Sequence, residues 1–314
     1  MVVSLINFGA RVSSIKLPVN GQLEEMIVTY NEPKAFIDDP FYLGATCGPV
    51  ANRISNAQFE IDNKLYKVSA NDGENSLHGG ENNFSNSYWE IDENTLSEKY
   101  VKFILKTADL ERGYPGNNIF TVEYMLTENN ELVMSYTGQP DKATPINMTN
   151  HVYFTLGQAS CLALNLSIES SSFIERFDNG IPTGDIINTK ALGVNIRRNH
   201  LLKDIINNSD NSQVSQEGGL DHSFILDNSA IEKPKAVLYS KSSGVKVSVF
   251  TNQPTMHIYT GNYLAEPLLK HAGVCLECQG FVDAPNQKNF ADIIYENTDV
   301  YRSKIVYGFS VNHR

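Results

Sequence analysis

The chain has 314 residues, of which 41% are hydrophobic, so it is long enough to bury a large core. Its 36 acidic and 25 basic residues give a formal net charge of −11 at pH 7. This charge disfavours nucleic acid and anionic membrane surfaces as partners, because both are negatively charged, and it weakens the case for a phosphorylated substrate.

Short segments that alternate between apolar and polar residues recur along the chain and predict β-strands. Turn-forming clusters such as Asp178–Gly180 and Ser242–Gly244 separate them. The predicted strands are Phe59–Ile61, Leu65–Val68, Val101–Leu105, Thr121–Leu126, Leu132–Thr137, Leu162–Ile168, Val245–Phe250 and Ile305–Val311. Many short strands without alternating helices predict an all-β fold, a sandwich or a barrel, in a single domain over residues 1–314.

Helical periodicity is confined to three stretches, each long enough for one or two turns: Pro40–Leu43, Leu201–Ile206 and Asn289–Tyr295. Ile206–Gly219 is rich in Asn, Ser and Asp, and we expect it to form a long mobile loop that borders a site. The first residues show neither a basic segment nor a long apolar run, which predicts a cytoplasmic protein without a membrane anchor.

The four cysteines do not have the spacing of a disulfide framework. Cys275 and Cys278 form a C-x-x-C motif inside a predicted strand, where an odd separation directs the two thiols to opposite faces. A redox motif is expected at the start of a helix, and a zinc ribbon needs a second close pair, whereas Cys47 and Cys161 are isolated. The sequence therefore predicts core cysteines, no metal and no cofactor.

A carboxylate lies in the middle of the most apolar strand, Gly273–Phe281. Val274, Leu276 and Cys278 alternate on one face, which places Glu277 on the other face with Cys275, Gln279 and Phe281. Burial of a carboxylate is costly and raises its pKa, toward the range that suits a general base. Glu277 is thus either a structural carboxylate paired with an arginine or a general base.

Five further polar clusters are flanked by apolar strand residues: Ala51–Ile54, Asn71–Gly80, Asn147–Phe154, Gly219–Phe224 and Thr255–Tyr259. Strand alternation puts His151 beside Tyr153, and His257 beside Tyr259. Taken singly, His78 could cap a turn and Arg53 could pair with a buried carboxylate. With Glu277, the clusters suit proton transfer on a neutral polyhydroxy ligand. Neither a phosphate-binding glycine loop nor a dinucleotide motif is present.

Eight short motifs are shared, in the same order and over nearly the whole chain, with one known family. They are Asn52–Ile54, Leu77–Gly80, Gly113–Gly116, Asn150–Phe154, Ile181–Gly184, Leu220–Phe224, Tyr259–Asn262 and Leu276–Gln279. In these motifs the chain resembles the aldose 1-epimerase (galactose mutarotase) family. The resemblance implies a large antiparallel β-sandwich with few short helices and a sugar site in an open cleft on one sheet.

The resemblance also implies roles for eight residues. Glu277 corresponds to the catalytic base and His151 to the catalytic acid. The residues expected to bind the sugar are Arg53, His78 and Asp221, together with Asn52 and Tyr153 from the same motifs and His257, which stands where many members have Gln.

The implied reaction interconverts the α and β anomers of free hexoses such as galactose and glucose. Glu277 takes the proton of the anomeric hydroxyl while His151 protonates the ring oxygen, so that the ring opens, rotates and closes on its other face. Ordinary pKa values of about 6.5 for His and about 4.3 for Glu already leave His151 protonated when Glu277 is not. We therefore expect only modest tuning of the two pKa values.

The sequence departs from the family pattern at several positions, and it leaves three alternative functions open. Gly48-Pro49 stands where Gly-Arg is common, Leu110 and Arg112 replace a Gly and an acidic residue, and an N-terminal strand is expected to be missing or shortened. The alternatives are a hexose-6-phosphate 1-epimerase, a non-catalytic sugar-binding protein, and a glycoside hydrolase whose carboxylates could only be Glu277 and Asp221. The expected partner is a free monosaccharide, and a homodimer is also open.

Overall fold

The structure is a computed structural model that describes residues 1–227 and 231–312. Strands dominate these ranges. In chain order they are β1 (Val2–Ile6), β2 (Arg11–Val19), β3 (Gln22–Glu25), β4 (Thr46–Cys47), β5 (Arg53–Ile54), β6 (Gln58–Ile61), β7 (Lys64–Lys67), β8 (Ser76–Leu77), β9 (Glu90–Ile91), β10 (Tyr100–Thr107), β11 (Asn118–Leu126), β12 (Glu131–Pro140), β13 (Thr144–Pro145), β14 (Thr149–Asn150), β15 (Tyr153–Phe154), β16 (Asn165–Ile168), β17 (Ser170–Arg176), β18 (Pro182–Asn188), β19 (His200–Leu201), β20 (Asp221–Leu226), β21 (Ala236–Tyr239), β22 (Val245–Thr251), β23 (Thr255–Tyr259), β24 (Val274–Gln279), β25 (Ile294–Tyr295) and β26 (Tyr301–Val311).

Helices are few and short in the described residues. The α-helices are α1 (Leu202–Asn207) and α2 (Ser212–Glu217), and the 3₁₀ turns are Pro33–Phe36, Ser55–Ala57, Phe84–Asn86, Glu111–Gly113, Cys161–Ala163, Thr189–Leu192 and Ala284–Asn286. No helix in this part of the chain has the length and apolar character needed to cross a bilayer.

Two large antiparallel sheets enclose the core. The first has nine strands in the order β19-β16-β21-β22-β26-β12-β11-β10-β9, and the second has six in the order β15-β24-β23-β20-β17-β18. Side chains from both sheets, such as Phe120 and Tyr124 from the first and Phe173 and Leu276 from the second, belong to one buried apolar cluster. The predicted all-β sandwich is therefore confirmed.

Each predicted strand overlaps an observed one, but one observed strand begins later in the chain than predicted. Leu162–Ile168 was predicted as a strand, but Cys161–Ala163 form a 3₁₀ turn and β16 begins at Asn165. The Ser160 side chain accepts a hydrogen bond from the Leu162 N–H, which favours the turn over extension.

The helix predictions were partly wrong. Leu201–Ile206 is confirmed as α1, but Pro40–Leu43 is a turn, in which Asp39 accepts hydrogen bonds from the N–H groups of Phe41 and Leu43. Asn289–Tyr295 is not helical either, since it ends in β25. There the Asp292 carboxylate accepts from the next two backbone N–H groups and so favours a turn over a helix.

The predicted loop Ile206–Gly219 instead contains the end of α1 and all of α2. The Asn211 side chain caps α2 by accepting hydrogen bonds from the N–H groups of Gln213 and Val214. Val214 is buried in the core, and Gly218 ends the helix with a φ of 60°. One buried apolar residue between polar neighbours was too weak a periodic signal for the helix to be recognised in the sequence.

Strand β24 lies next to the edge of the six-stranded sheet, between β15 and β23. Val274, Leu276 and Cys278 face the core, as predicted from the alternation. The opposite face of β24 therefore carries Cys275 and Glu277, and Glu277 pairs in register with His257 on β23. The C-x-x-C thiols accordingly point to opposite faces of the sheet, and all four cysteines are buried and free.

A buried ion pair fixes the loop between β3 and β4. The Arg11 guanidinium donates to Asp39 at 2.5 Å and to the Leu43 carbonyl at 2.8 Å, and both side chains are fully buried. Asp39 also accepts from the Tyr30 hydroxyl at 3.1 Å. Because Asp39 binds the backbone on either side of Tyr42, the ion pair sets the position of that aromatic ring.

We expect Asp39→Ala to lower the free energy of unfolding by about 3–5 kcal/mol, because it leaves the Arg11 charge buried without a partner. Urea unfolding followed by circular dichroism measures this change. Lys142→Ala, which removes the exposed partner of Asp109, serves as the control and should leave the unfolding curve almost unchanged. Equal stability of the two variants would contradict a structural role for the buried pair.

Candidate active site

A cleft of about 740 Å³ opens on the outer face of the six-stranded sheet. Its walls come from β15, β20, β23 and β24 and from the loops around Tyr42, Asn52 and His78. All eight residues singled out in the sequence line this one cleft: Asn52, Arg53, His78, His151, Tyr153, Asp221, His257 and Glu277. Residues that are up to 225 positions apart in the sequence thus meet in a volume suited to a small polar ligand.

His151 and Glu277 are in direct contact at the bottom of the cleft. The Nε2 atom of His151 lies 3.6 Å from Oε1 of Glu277, and both side chains are almost completely buried. The backbone of His151 is fixed on both sides, since its N–H donates to Ala45 and its carbonyl accepts from Gly44, each at 2.9 Å. The second carboxyl oxygen of Glu277 is buried and has no hydrogen-bond partner among the described residues.

Burial shifts the pKa values of this pair in opposite directions. Desolvation, with a smaller contribution from the Asp221 charge, raises the pKa of Glu277 well above its ordinary value, although Arg53 opposes the shift. Desolvation also lowers the pKa of His151 to about 3. The free site therefore favours a carboxylic acid beside a neutral imidazole, and the expected modest tuning was wrong, because the sequence does not report how thoroughly water is excluded.

His78 is held by a reciprocal pair of hydrogen bonds with Asn52. The backbone N–H of His78 donates to the backbone carbonyl of Asn52 at 2.9 Å. The backbone N–H of Asn52 donates to the ring atom Nδ1 of His78 at 3.3 Å. Because Nδ1 is an acceptor, the neutral ring carries its proton on Nε2. Both residues have left-handed backbones, with φ of 52° and 60°, and Gly79 follows with φ of 98°. A Cβ atom on Gly79 would lie 2.2 Å from the Gly48 carbonyl oxygen, so this tight loop requires a glycine there.

Arg53 and Asp221 are oppositely charged groups of the cleft that interact electrostatically. Arg53 donates from Nε to Asp72 at 2.7 Å, and its guanidinium packs against Gly180, where a Cβ atom would lie 2.6 Å from Cζ of Arg53. Burial alone would raise the pKa of Asp221, but the hydrogen bond from His257 and the charges of Arg53 and Arg176 hold it well below its usual range. Asp221 is therefore an ionised hydrogen-bond acceptor in a cleft that keeps Glu277 protonated.

Both ring nitrogens of His257 are occupied within the protein. Nε2 lies 2.8 Å from Asp221, and Nδ1 lies 2.8 Å from the Ser223 hydroxyl. Since ionised Asp221 can only accept, Nε2 donates to it, and Nδ1 shares a hydrogen bond with the Ser223 hydroxyl. His257 is thus placed to orient Asp221, whereas the sequence suggested a direct contact with the sugar.

Several cleft residues carried no recognisable signal in the sequence. The Tyr42 ring packs over His78 and His151, with centroid distances of 4.7 and 5.8 Å. Arg176 pairs with Glu217 of α2 and lies 3.9 Å from Asp221. Tyr42 lies in a turn that was read as a helix. Glu217 lies in a helix that was read as a loop, although the sequence did predict that this segment borders a site.

His78, His151 and Glu277 offer ligand atoms within 4.8 Å of one another, a grouping that could in principle hold a metal ion. A coordinating imidazole must present a bare nitrogen to the ion. His78 does not, because its bare Nδ1 already receives the Asn52 N–H and its other nitrogen carries the proton. The residues fit donation of a hydrogen bond to a ligand better than coordination of a metal.

Comparisons with known proteins point to the family that the sequence motifs resemble. The family model for aldose 1-epimerase matches residues 1–308. The galactose mutarotase of Bos taurus is 32% identical over 98% of this chain and 91% of its own length. The aldose 1-epimerase of Haemophilus influenzae is 35% identical over 91% of this chain and 85% of its own. A crystal structure of an aldose epimerase homologue from C. elegans is 26% identical, with a TM-score of 0.92 over 99% of this chain and 96% of that one.

The electrostatics of the pair can be tested without any substrate. We expect ring NMR signals of His151 to titrate with a midpoint near about 3, far below the ordinary value of about 6.5, because the buried imidazolium is poorly solvated. His151→Asn identifies the signal by its loss. The same sample unfolded in urea provides the control, in which the histidines should titrate near about 6.5. A midpoint near that value in the folded protein would contradict the electrostatic description of the pair.

Proposed function

The chain belongs to the aldose 1-epimerase family, and from this premise we propose that Glu277 and His151 interconvert the α and β anomers of a free hexose such as galactose or glucose. The enzyme is thus an isomerase acting on a carbohydrate, a mutarotase. The observation that carries the assignment of roles is the 3.6 Å contact between a proton-accepting and a proton-donating side chain at the bottom of a sugar-sized cleft.

Ring opening requires one proton to leave and one to arrive. Glu277, as the carboxylate, takes the proton of the anomeric hydroxyl, and a carbonyl forms at C1. The bond between C1 and the ring oxygen breaks, and its electron pair takes the Nε2 proton of the His151 imidazolium. After rotation about the C1–C2 bond, the two transfers run backward on the other face of the carbonyl and give the other anomer.

The directions in which burial shifts the pKa values of Glu277 and His151 favour this step. Before the reaction the pair must be a carboxylate beside an imidazolium, which is the arrangement that a dry site disfavours. Ring opening converts it into a carboxylic acid beside a neutral imidazole, the arrangement that burial favours. Because the pair holds one proton in either form, that proton can pass directly between Nε2 and Oε1 as the substrate enters.

The remaining cleft residues suit the binding of sugar hydroxyl groups. Asp221 accepts hydrogen bonds as an ionised carboxylate, while Arg53, Asn52 and the Nε2–H of His78 donate them. Tyr153 and Tyr42 offer aromatic surface to an apolar face of the ring. In this proposal His257 positions Asp221, and it contacts the sugar only through that residue.

The charges of the cleft favour a free sugar over a sugar phosphate. Its lining contains six carboxyl groups, those of Asp72, Glu74, Asp178, Glu217, Asp221 and Glu277, and only two cationic side chains, Arg53 and Arg176. Both arginines are already paired, with Asp72 and Glu217. A phosphate group would face unbalanced negative charge in this cleft.

We also propose that the chain is one domain that functions in the cytoplasm without a nucleic acid or membrane partner. The match of one family model to residues 1–308 supports a single unit. The four free thiols suit a reducing compartment, and the net charge of −11 disfavours anionic partners.

The variants Glu277→Gln and His151→Asn should each slow catalysed mutarotation by about 10²–10⁴-fold, because each removes one proton-transfer partner. Polarimetry of freshly dissolved α-galactose measures the rate. Glu60→Gln, an exposed substitution on β6 outside the cleft, is the matched control and should keep the original rate. Normal activity in either cleft variant would overturn the proposed roles.

Arg53→Ala should raise KM for galactose by about tenfold or more, since it removes a charged donor to a sugar hydroxyl, while the shape of the pH profile is retained. The measurement is a set of initial rates over a range of galactose concentrations and pH values. Arg112→Ala, which lies outside the cleft lining, controls for loss of a positive charge. An unchanged KM for Arg53→Ala would argue against its contact with the sugar.

A further inference from the structure

Strand β24 presents two side chains to the two ring nitrogens of His151. Glu277 and Cys275 are two positions apart, so both point to the cleft face of the sheet. Oε1 of Glu277 lies 3.6 Å from Nε2, and Sγ of Cys275 lies 3.5 Å from Nδ1. Both side chains are fully buried. Cys275 is buried in an apolar cluster with Tyr153 and Leu264, which confirms the predicted core cysteine, and its sulfur also lies against the imidazole.

The two histidines at the bottom of the cleft have different kinds of partner at Nδ1. A backbone N–H, that of Asn52, points at Nδ1 of His78, so this nitrogen must accept and Nε2 must carry the proton. A thiol points at Nδ1 of His151, and a thiol can act either as a weak donor or as a weak acceptor. The role of His151 therefore depends on which of the two atoms, Nδ1 or Sγ, donates.

We propose that Cys275 is a positioning residue for the reaction: its sulfur accepts a hydrogen bond from Nδ1–H of His151 and so keeps Nε2 of the neutral ring free to take up a proton. This inference rests on the proposed roles of His151 and Glu277. It explains why two histidines whose ring centres lie only 5.2 Å apart serve differently, His78 as a fixed donor and His151 as a proton carrier.

The protonation states of the His151 ring during the reaction support this direction of the hydrogen bond, from Nδ1–H to the sulfur. When His151 acts as the acid it is an imidazolium, both of its nitrogens carry hydrogen, and Nδ1–H needs an acceptor. The Cys275 sulfur, 3.5 Å from Nδ1, is in position to be that acceptor. After Nε2 has given its proton to the ring oxygen, the Nδ1–H bond is unchanged. The same hydrogen bond is then kept through the whole cycle, and no tautomer exchange interrupts it.

A thiol is suited to this position because it orients the ring without strengthening its base character. A carboxylate at Nδ1, as in a Ser-His-Asp triad, stabilises the imidazolium and would make it a weaker acid. Burial raises the pKa of the Cys275 thiol well above its usual range, so no thiolate charge forms beside the ring. The other polar or aromatic groups that face His151 are Tyr42, His78, Tyr153, Tyr259 and Glu277.

The test is the tautomer of His151, read from long-range ¹H–¹⁵N correlation spectra of the full chain at neutral pH. We expect the wild-type ring to show a protonated Nδ1 and a bare Nε2, and His78 to show the opposite pattern. Cys275→Ala should give a mixture of tautomers and lower kcat by about 2- to 10-fold with KM unchanged, the effect of losing one hydrogen bond. Cys275→Ser, whose hydroxyl oxygen can accept the same bond, should restore the single tautomer and most of kcat.

Cys278→Ala, on the same strand but facing the core, is the control and should keep the wild-type spectrum and kcat. A wild-type ring with its proton on Nε2 would overturn the inference, and this measurement does not depend on any variant folding. A single tautomer and normal kcat in Cys275→Ala would also overturn it. His151→Asn is assayed in parallel: if it stays active, the proposed function itself fails, whereas its loss of activity beside a normal Cys275→Ala refutes only the positioning role.

Discussion

This site depends on one constraint. A carboxyl group and an imidazole are buried together, and there is too little charge around them to stabilise both as ions. The 3.6 Å contact between Glu277 and His151 holds one proton in either of two arrangements. Because the neutral arrangement is favoured, the charged one is a reactive state rather than a stable ion pair. The sandwich makes this possible by carrying Glu277 on an inner strand, β24, where its side chain is buried from water.

The structure around the pair serves to keep it dry and oriented. The fully buried Arg11–Asp39 ion pair fixes the turn that holds the Tyr42 ring over both histidines. Backbone hydrogen bonds hold His151 between Gly44 and Ala45 and tie His78 to Asn52. The ionised groups of the cleft, Asp221 and the two arginines, each have a partner of opposite charge. The charged binding groups are thus neutralised by their own partners and not by the proton-transfer pair.

The sequence predicted the fold class and the members of the site better than it predicted their electrostatics. Period-two alternation was enough to place Glu277 on the polar face of β24, and the spacing of short motifs pointed to residues that do share the cleft. The order of the pKa values depends on the depth of burial in three dimensions, which the alternation does not report. The sequence did not show that both nitrogens of His257 are occupied, because their partners, Ser223 and Asp221, lie on a different strand. Helix α2 was not predicted from the sequence because it is short and depends on one capping side chain.

The most direct test of the central claim is the protonation state of Glu277 in the free protein. The infrared difference spectrum between wild type and Glu277→Gln at neutral pH reports the C=O stretch of a protonated carboxyl group. The account predicts a carboxylic acid band that is present in the wild type and lost in the variant. A difference spectrum that shows only the loss of a carboxylate band would contradict it, because Glu277 would then be a stable anion and not a partner in a shared proton.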